Sequence, residues 1–253
     1  MKALEINNLS FKYRDTDKLI LDDLSFSINK NEFVTIIAPS GTGKSTLFRL
    51  ILGLLKPISG SIDIEKNNNK NIIGYMPQKD CLMPWRTILD NTAVGLELNG
   101  YSKKEARKKA VTYFESFNLK GTENSYPHEL SGGMRQRASF LRAIVNNPSL
   151  LLLDEPFSSL DALTRRKMQA WLLDLCQKEK NTVFMITHDI EEALLLSDRI
   201  LICTELPYKN LKSIEVNINR PRTYETTLTG EFIELKRQIL NILDKLEESK
   251  EGI

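Results

Sequence analysis

Ser40-Gly41-Thr42-Gly43-Lys44-Ser45-Thr46 packs two glycines, a lysine and four hydroxyl side chains into seven consecutive residues. Glycines free the backbone N–H groups to curl around phosphate oxygens. Lys44 supplies positive charge to the β and γ phosphates of a nucleotide, and the Ser45 hydroxyl is a ligand for Mg²⁺. One position departs from GxxxxGK[ST]: Ala38 stands where the first glycine falls, followed by Pro39. A positive φ at that position would strain alanine by about 1–2 kcal/mol, so Ala38 is read as the last residue of a strand.

A phosphate loop alone leaves kinases, GTPases and motor ATPases open, and other residues narrow the chemistry. Leu150-Leu151-Leu152-Leu153 delivers Asp154 and Glu155 to the end of an apolar strand. Acids there are costly unless something cationic meets them. Asp154 is suited to hold Mg²⁺ through water, and Glu155 to polarise an attacking water, a role typically worth about 10²- to 10⁴-fold. His188 closes another apolar strand as Thr187-His188-Asp189, at the strand end where open α/β sheets bind ligands. Gln78 follows the strand Ile72–Met76 and offers an amide carbonyl to metal and water. His128 carries no such argument and is read as scaffold.

The elements that position these residues follow from hydrophobic patterning. Ala3–Ile6, Leu19–Ile28 and Glu32–Ile37 read as an antiparallel β patch leading into a buried strand. A helix follows the phosphate loop. Gly60–Glu65 and Asn71–Met76 read as strands around a polar turn at Lys66–Lys70. From Pro84 to Asn146 the spacing is helical, with Ala106, Ala110, Tyr113 and Phe117 recurring at helical intervals. Beyond Leu150–Asp154 come a helix around Arg165–Gln177, a strand Thr182–Thr187, a helix Glu191–Leu196 and strands Arg199–Thr204 and Ser213–Ile218. Strands that are apolar on both faces and alternate with helices predict a parallel sheet covered on both sides. A final helix places Phe232, Leu235, Ile239, Leu243 and Leu246 on one face and is read as a docked terminal helix.

The whole composition fits this α/β reading. At 253 residues the chain can bury a sizeable core without disulfides or metals. Lys+Arg 35 against Asp+Glu 33 leaves a formal charge of +2, with no strong electrostatic case for nucleic acid. Cys81, Cys176 and Cys203 are scattered, forming neither a disulfide framework nor a CxxC pair, which points to a reducing cytoplasm. The start Met1-Lys2-Ala3-Leu4-Glu5 has no apolar export segment, and Leu47–Leu55 is far shorter than the roughly 20 apolar residues that span a bilayer.

The order of motifs carries a resemblance: Ser40–Thr46, Gln78, Leu130-Ser131-Gly132-Gly133-Met134-Arg135-Gln136-Arg137, Asp154-Glu155-Pro156, Ser158-Ser159-Leu160-Asp161 and His188. The chain resembles the nucleotide-binding subunit of an ABC transporter over nearly its whole length. The resemblance implies a P-loop NTPase fold with an N-terminal antiparallel β subdomain. It implies a RecA-like core at 1–78 and 148–220, an inserted helical subdomain at 79–147 and a C-terminal helical tail at 221–253. ATP and Mg²⁺ are the implied cofactors. Ala38, Pro39 and Ser40 to Thr46 would bind ATP, Tyr13 would stack on adenine, and Ser45, Gln78 and Asp154 would serve the metal. Glu155, His188 and Gln78 would be catalytic. Ser131, Gly132, Gly133, Gln136 and Asp161 would meet the ATP held by a second copy, in a head-to-tail dimer.

The signature also makes sense on physical grounds. Ser131, Gly132 and Gly133 precede a helix beginning near Met134, so hydroxyl and N–H donors converge on a positive helix end suited to an anion. With ATP already on the phosphate loop, a second anion site implies a second ATP. Further partners implied by the resemblance are a membrane permease and, indirectly, an extracytoplasmic solute-binding protein, with the chain peripheral on the cytoplasmic side of the membrane.

Leu82-Met83-Pro84-Trp85-Arg86-Thr87 and Tyr126-Pro127-His128-Glu129 are similar to segments of cassettes serving nitrate, sulfonate, taurine and thiamine-pyrimidine importers. Phe140-Leu141-Arg142-Ala143 departs from that branch, where an alanine commonly precedes the arginine. A DNA-repair ATPase of the same superfamily would carry a long coiled coil where this chain has one helical subdomain. A non-hydrolytic interaction subunit would have lost chemistry, whereas Lys44, Asp154, Glu155 and His188 are all intact.

Overall fold

The computed structural model describes residues 1–37, 43–65, 73–203 and 207–251, except the side chains of 177, 179 and 246–251. Ala38, Pro39, Ser40, Gly41 and Thr42 of the phosphate loop, the turn at Lys66–Lys70 and the Leu246 side chain therefore lie outside the described residues. In chain order the elements are β1 (Lys2–Phe11), β2 (Leu21–Asn29), β3 (Phe33–Ile37), α1 (Lys44–Ile51), β4 (Ser59–Ile64), β5 (Ile73–Met76), α2 (Ile88–Leu98), α3 (Lys103–Val111), α4 (Gly132–Ile144), β6 (Leu150–Asp154), α5 (Ala162–Glu179), β7 (Thr182–Thr187), α6 (Ile190–Leu196), β8 (Arg199–Cys203), β9 (Leu211–Glu215) and α7 (Gly230–Glu251). Short 3₁₀ turns lie at Pro127–Glu129 and Tyr224–Leu228. The chain forms two compact units, Met1–Lys70 with Thr182–Ile253, and Asn71–Asn181.

In the first unit, β3 is buried at every residue and runs parallel to β7 on one side and β8 on the other. Apolar runs without polar alternation have no wet face, which is why they sit inside a parallel sheet. The register pairs Ile37 with Thr187, so the chain leaves β3 and β7 at the same sheet edge. Phe184 of β7 packs between Phe26 and Phe48, with ring centroids 5.6 and 5.2 Å away. β1 pairs antiparallel with both β2 and β4, forming the separate patch that the N-terminal pattern predicts.

The last strand differs from expectation. β9 ends at Glu215 instead of running to Ile218, and it pairs antiparallel to β8. The buried Arg222 explains the boundary: its guanidinium donates to the carbonyls of Val216 at 2.8 Å and Ile218 at 2.9 Å, the groups a longer strand would use. Leu194 and Ser197 carbonyls accept from the same group. Burial, with neighbouring Arg220, lowers the Arg222 pKa to about 10, so the side chain remains charged at neutral pH. Phe232 and Ile239 of α7 are buried against a cluster that includes Ala193, Ile202 and Ile214, with Leu235 and Leu243 packed beside them. This face is the docked one expected from the sequence.

In the second unit, β5 and β6 pair in parallel, with Met76 opposite Leu153. Gly74 lets α4 approach closely, because a Cβ there would lie 2.3 Å from the Ala143 carbonyl oxygen. Phe117, Phe140, Phe157 and Trp171 form an edge-to-face aromatic core, with Trp171 centred 4.5 Å from Phe117. α4 starts at Gly132, two residues before the expected Met134, since Ser131 caps it and overrides the poor helix propensity of two glycines. No helix among the described residues is long and apolar enough to cross a membrane.

Candidate active site

The first unit holds Gly43 and Lys44 of the phosphate-loop motif. Gly43 caps α1 with φ +98°, and a Cβ there would come 2.3 Å from Ile20 Cγ2. Only glycine fits both constraints. Lys44 opens the helix and is 6% exposed, with Thr46 equally buried. The Tyr13 hydroxyl lies 2.9 Å from Thr46 Oγ1, and the Tyr13 ring meets Phe11 edge-on at 5.0 Å, which fixes Tyr13 beside the start of α1. At the end of β7, His188 is exposed. The turn that carries it is tightly held: Asp189 N–H donates to Thr187 Oγ1, Thr187 Oγ1 donates to Glu192, and the Asp189 carboxylate accepts from the N–H groups of Glu191 and Glu192.

The second unit holds Asp154 and Glu155. Asp154 ends β6 and is 3% exposed. Because β5 and β6 are in register, the residues just past their ends meet, and Gln78 Nε2 donates to Glu155 Oε2 at 3.2 Å. Glu155 adopts φ +49°, a left-handed conformation unfavourable for a residue with Cβ. Its carbonyl is tied down by Gln136 Nε2 at 3.4 Å, Ser158 N–H at 3.3 Å and Ser158 Oγ at 3.0 Å. Ser159 Oγ in turn donates to Gln136 Oε1. The sequence marks Gln136 only through the signature and marks Ser159 only as part of a run, so this brace between α4 and the acidic turn was not visible there.

Ser131 caps α4, its Oγ accepting Met134 N–H at 3.3 Å. Gly132 and Gly133 form the first turn, and a Cβ on Gly133 would sit 3.6 Å from the Leu160 side chain. Asp161 caps α5 through the N–H groups of Leu163 and Thr164. Hydrogen bonds from Thr164, then from Leu163, hold its carboxyl below the usual range.

A second exposed feature lies past Gln78. Trp85 is 73% exposed. The turn presenting it is built on the fully buried Asn91, which accepts from Met83 N–H at 2.7 Å and donates to the carbonyls of Met83, Arg86 and Thr87 at 3.0–3.1 Å.

Residues 21–158 match the ABC transporter family. The chain belongs to that family. A relative from Halalkalibacterium halodurans, the formylaminopyrimidine import ATP-binding protein ThiZ, is 48% identical over 98% of each chain. The aliphatic sulfonates import ATP-binding protein SsuB of Bacillus cereus is 39% identical over 89% of each. Among solved structures, a dimeric ATP-binding cassette in a post-hydrolysis state, bound to ADP and Pi, superposes with a TM-score of 0.76 at 30% identity. That likeness covers 85% of this chain and 100% of the cassette. As a member of the ABC family the protein is an ATPase using ATP and Mg²⁺. The residues are compatible with both: in the first unit a buried lysine opens α1, and in the second the buried Asp154 carboxylate offers hard oxygen donors.

Proposed function

We propose that this chain is the ATP-hydrolysing subunit of an ABC importer, working as a head-to-tail dimer against a separate membrane permease and peripheral to the cytoplasmic face. The observation that carries the reading is the Gln78–Glu155 pairing, followed within the same loop by the rigidly presented Trp85. A chemical group and an exposed apolar anchor are thus seven residues apart, as a device linking hydrolysis to a partner requires. The helices of 79–147 form the subdomain that meets the permease.

In this role Lys44 neutralises phosphate charge, and Ser45, Asp154 and Gln78 serve Mg²⁺, which supplies charge stabilisation at the phosphates. Tyr13 stacks on adenine. Ala38, Pro39, Ser40, Gly41, Thr42 and Gly43 wrap the phosphates, with Thr46 beside them. Glu155 accepts a proton from the attacking water. His188 contacts the terminal phosphate from its braced turn. Ser131, Gly132, Gly133, Gln136 and Asp161 act on the nucleotide of the second copy.

The relatives' names support a choice of solute class. Of the two import proteins above, the one named for formylaminopyrimidine shares more residues with this chain. A substituted aminopyrimidine is therefore the proposed cargo, with sulfonates, taurine and nitrate as the alternatives. The permease co-purified with this subunit, together with its solute-binding protein, should retain an aminopyrimidine in preference to a sulfonate or nitrate. Lys44→Ala should abolish hydrolysis in that complex. Preferential capture of a sulfonate would overturn the solute, and undiminished hydrolysis by the lysine variant would overturn the ATPase assignment of this loop.

A further inference from the structure

Two arginines on α4 grip the loop that follows Gln78. Arg142 donates from one guanidinium nitrogen to the Cys81 carbonyl at 2.7 Å and from the other to the Asp80 carbonyl at 2.8 Å. The second nitrogen also reaches Ser139 Oγ at 3.3 Å. Seven residues earlier, on the same helix face, Arg135 Nε donates to Asp80 Oδ2 at 3.0 Å and its Nη1 to the Leu130 carbonyl at 2.8 Å. Cys81 adopts φ +48°, which turns two successive carbonyls toward one guanidinium. A planar fork suits this task and a lysine ammonium does not. Asp80 Oδ1 further accepts Leu82 N–H at 3.2 Å, so the grip extends toward the Trp85 turn.

The placement gives the grip its consequence. Ser131, at the start of α4, is the cap beside the anion-suited helix end, and Gln136 of the same helix holds the Glu155 carbonyl. The loop from Gln78 to Met83 is thus fastened to the element that carries the signature. We propose that Arg142 is a positioning residue which, with Arg135, makes the loop after Gln78 move as one body with α4, so that displacement of the Leu82–Thr87 segment reaches the Ser131 end.

The transmission rests on the reading that this segment meets a permease; the clamp itself does not. Two measurements separate them. In the full-length chain, hydrogen exchange of amides at 79–83 should rise at least tenfold in Arg142→Met, while exchange in α4 and β6 stays within about twofold of wild type. Arg142→Lys, keeping the charge without the fork, should fall between. In the assembled transporter, permease-stimulated ATP hydrolysis should drop at least fivefold in Arg142→Met, with the basal rate of the isolated subunit within about twofold. Asp80→Ala removes only the partly exposed arm and should produce the same split at smaller amplitude, which covers the case where Arg142→Met does not fold.

Exchange that rises equally through α4 and β6 would mean Arg142 merely stabilises the unit and would overturn the clamp. Unchanged exchange at 79–83 would overturn it too. A wild-type subunit whose hydrolysis ignores the permease would overturn the transporter reading and the transmission, while the exchange result still decides the clamp.

Discussion

At the scale of single residues, chemistry was easier to read than conformation. Asp154 and Glu155 were legible as a carboxylate pair because four leucines precede them, but nothing in that string reveals that Glu155 is left-handed or that its carbonyl collects three donors. The Gln78–Glu155 contact spans 77 positions and exists only because Met76 and Leu153 are register partners. Arg142 reads as an ordinary helix residue, since its partners lie about sixty positions upstream. Gly43 was the easier case, because a phosphate loop demands glycine there. The structure adds a second cause, the 2.3 Å approach to Ile20. Gly43→Ala should therefore lower stability by about 1–2 kcal/mol from the left-handed backbone alone, with the steric term on top, and weaken nucleotide binding at least tenfold. Thermal unfolding and titration with a fluorescent ATP analogue check the two halves separately.

Among elements, two uninterrupted apolar runs were read to the residue. β6 and β7 have the predicted bounds, since a strand buried on both faces has sharp ends where polar residues begin. β9 was misplaced because Arg222, a few residues further on, takes the carbonyls of Val216 and Ile218, which hydrophobic alternation does not record. The helical pieces of the second unit also rely on partners far along the chain. Asp90 in the first turn of α2 receives Arg107 of α3 at 2.6 Å, with Lys103 at 3.6 Å. Burial pushes the Asp90 carboxyl up, but the hydrogen bond and charge of Arg107, with Lys103 and Thr87, outweigh it and leave the pKa below the usual carboxylate value of 3.8. A depressed folded pKa contributes stability that is complete above the unfolded value and lost as pH falls through the folded one. Asp90→Asn should accordingly cost about 1 kcal/mol at pH 7. The difference from wild type should close as pH drops below 3.8, as denaturant unfolding at a series of pH values would show. A constant difference down to pH 2 would locate the effect in packing instead.

For the whole molecule, the decisive feature is that two helix starts carry groups suited to an anion: Lys44 at the head of α1, and Ser131 with Gly132 and Gly133 at the head of α4. The structural neighbour bound to ADP and Pi is dimeric, and in the proposed head-to-tail dimer each copy would lend its signature to the nucleotide of the other. That arrangement predicts complementation between two inactive variants. Lys44→Ala removes from its own loop the positive charge that meets phosphate, and Ser131→Arg blocks the helix end offered to the partner, so each should be inactive as a homodimer. Mixed together, the two chains form a heterodimer in which one composite site carries both lesions and the other carries neither. Random pairing makes half of the dimers mixed, with one of two sites intact in each, so hydrolysis should return to roughly a quarter of the wild-type rate if the sites fire independently. Sites that must fire together would give no recovery, but the mixture would still trap ATP at the intact site, measurable by filter binding. If the mixture neither hydrolyses nor traps ATP above the level of the separate variants, Ser131 does not act across a dimer. If Ser131→Arg alone is fully active, the head of α4 has no part in the reaction.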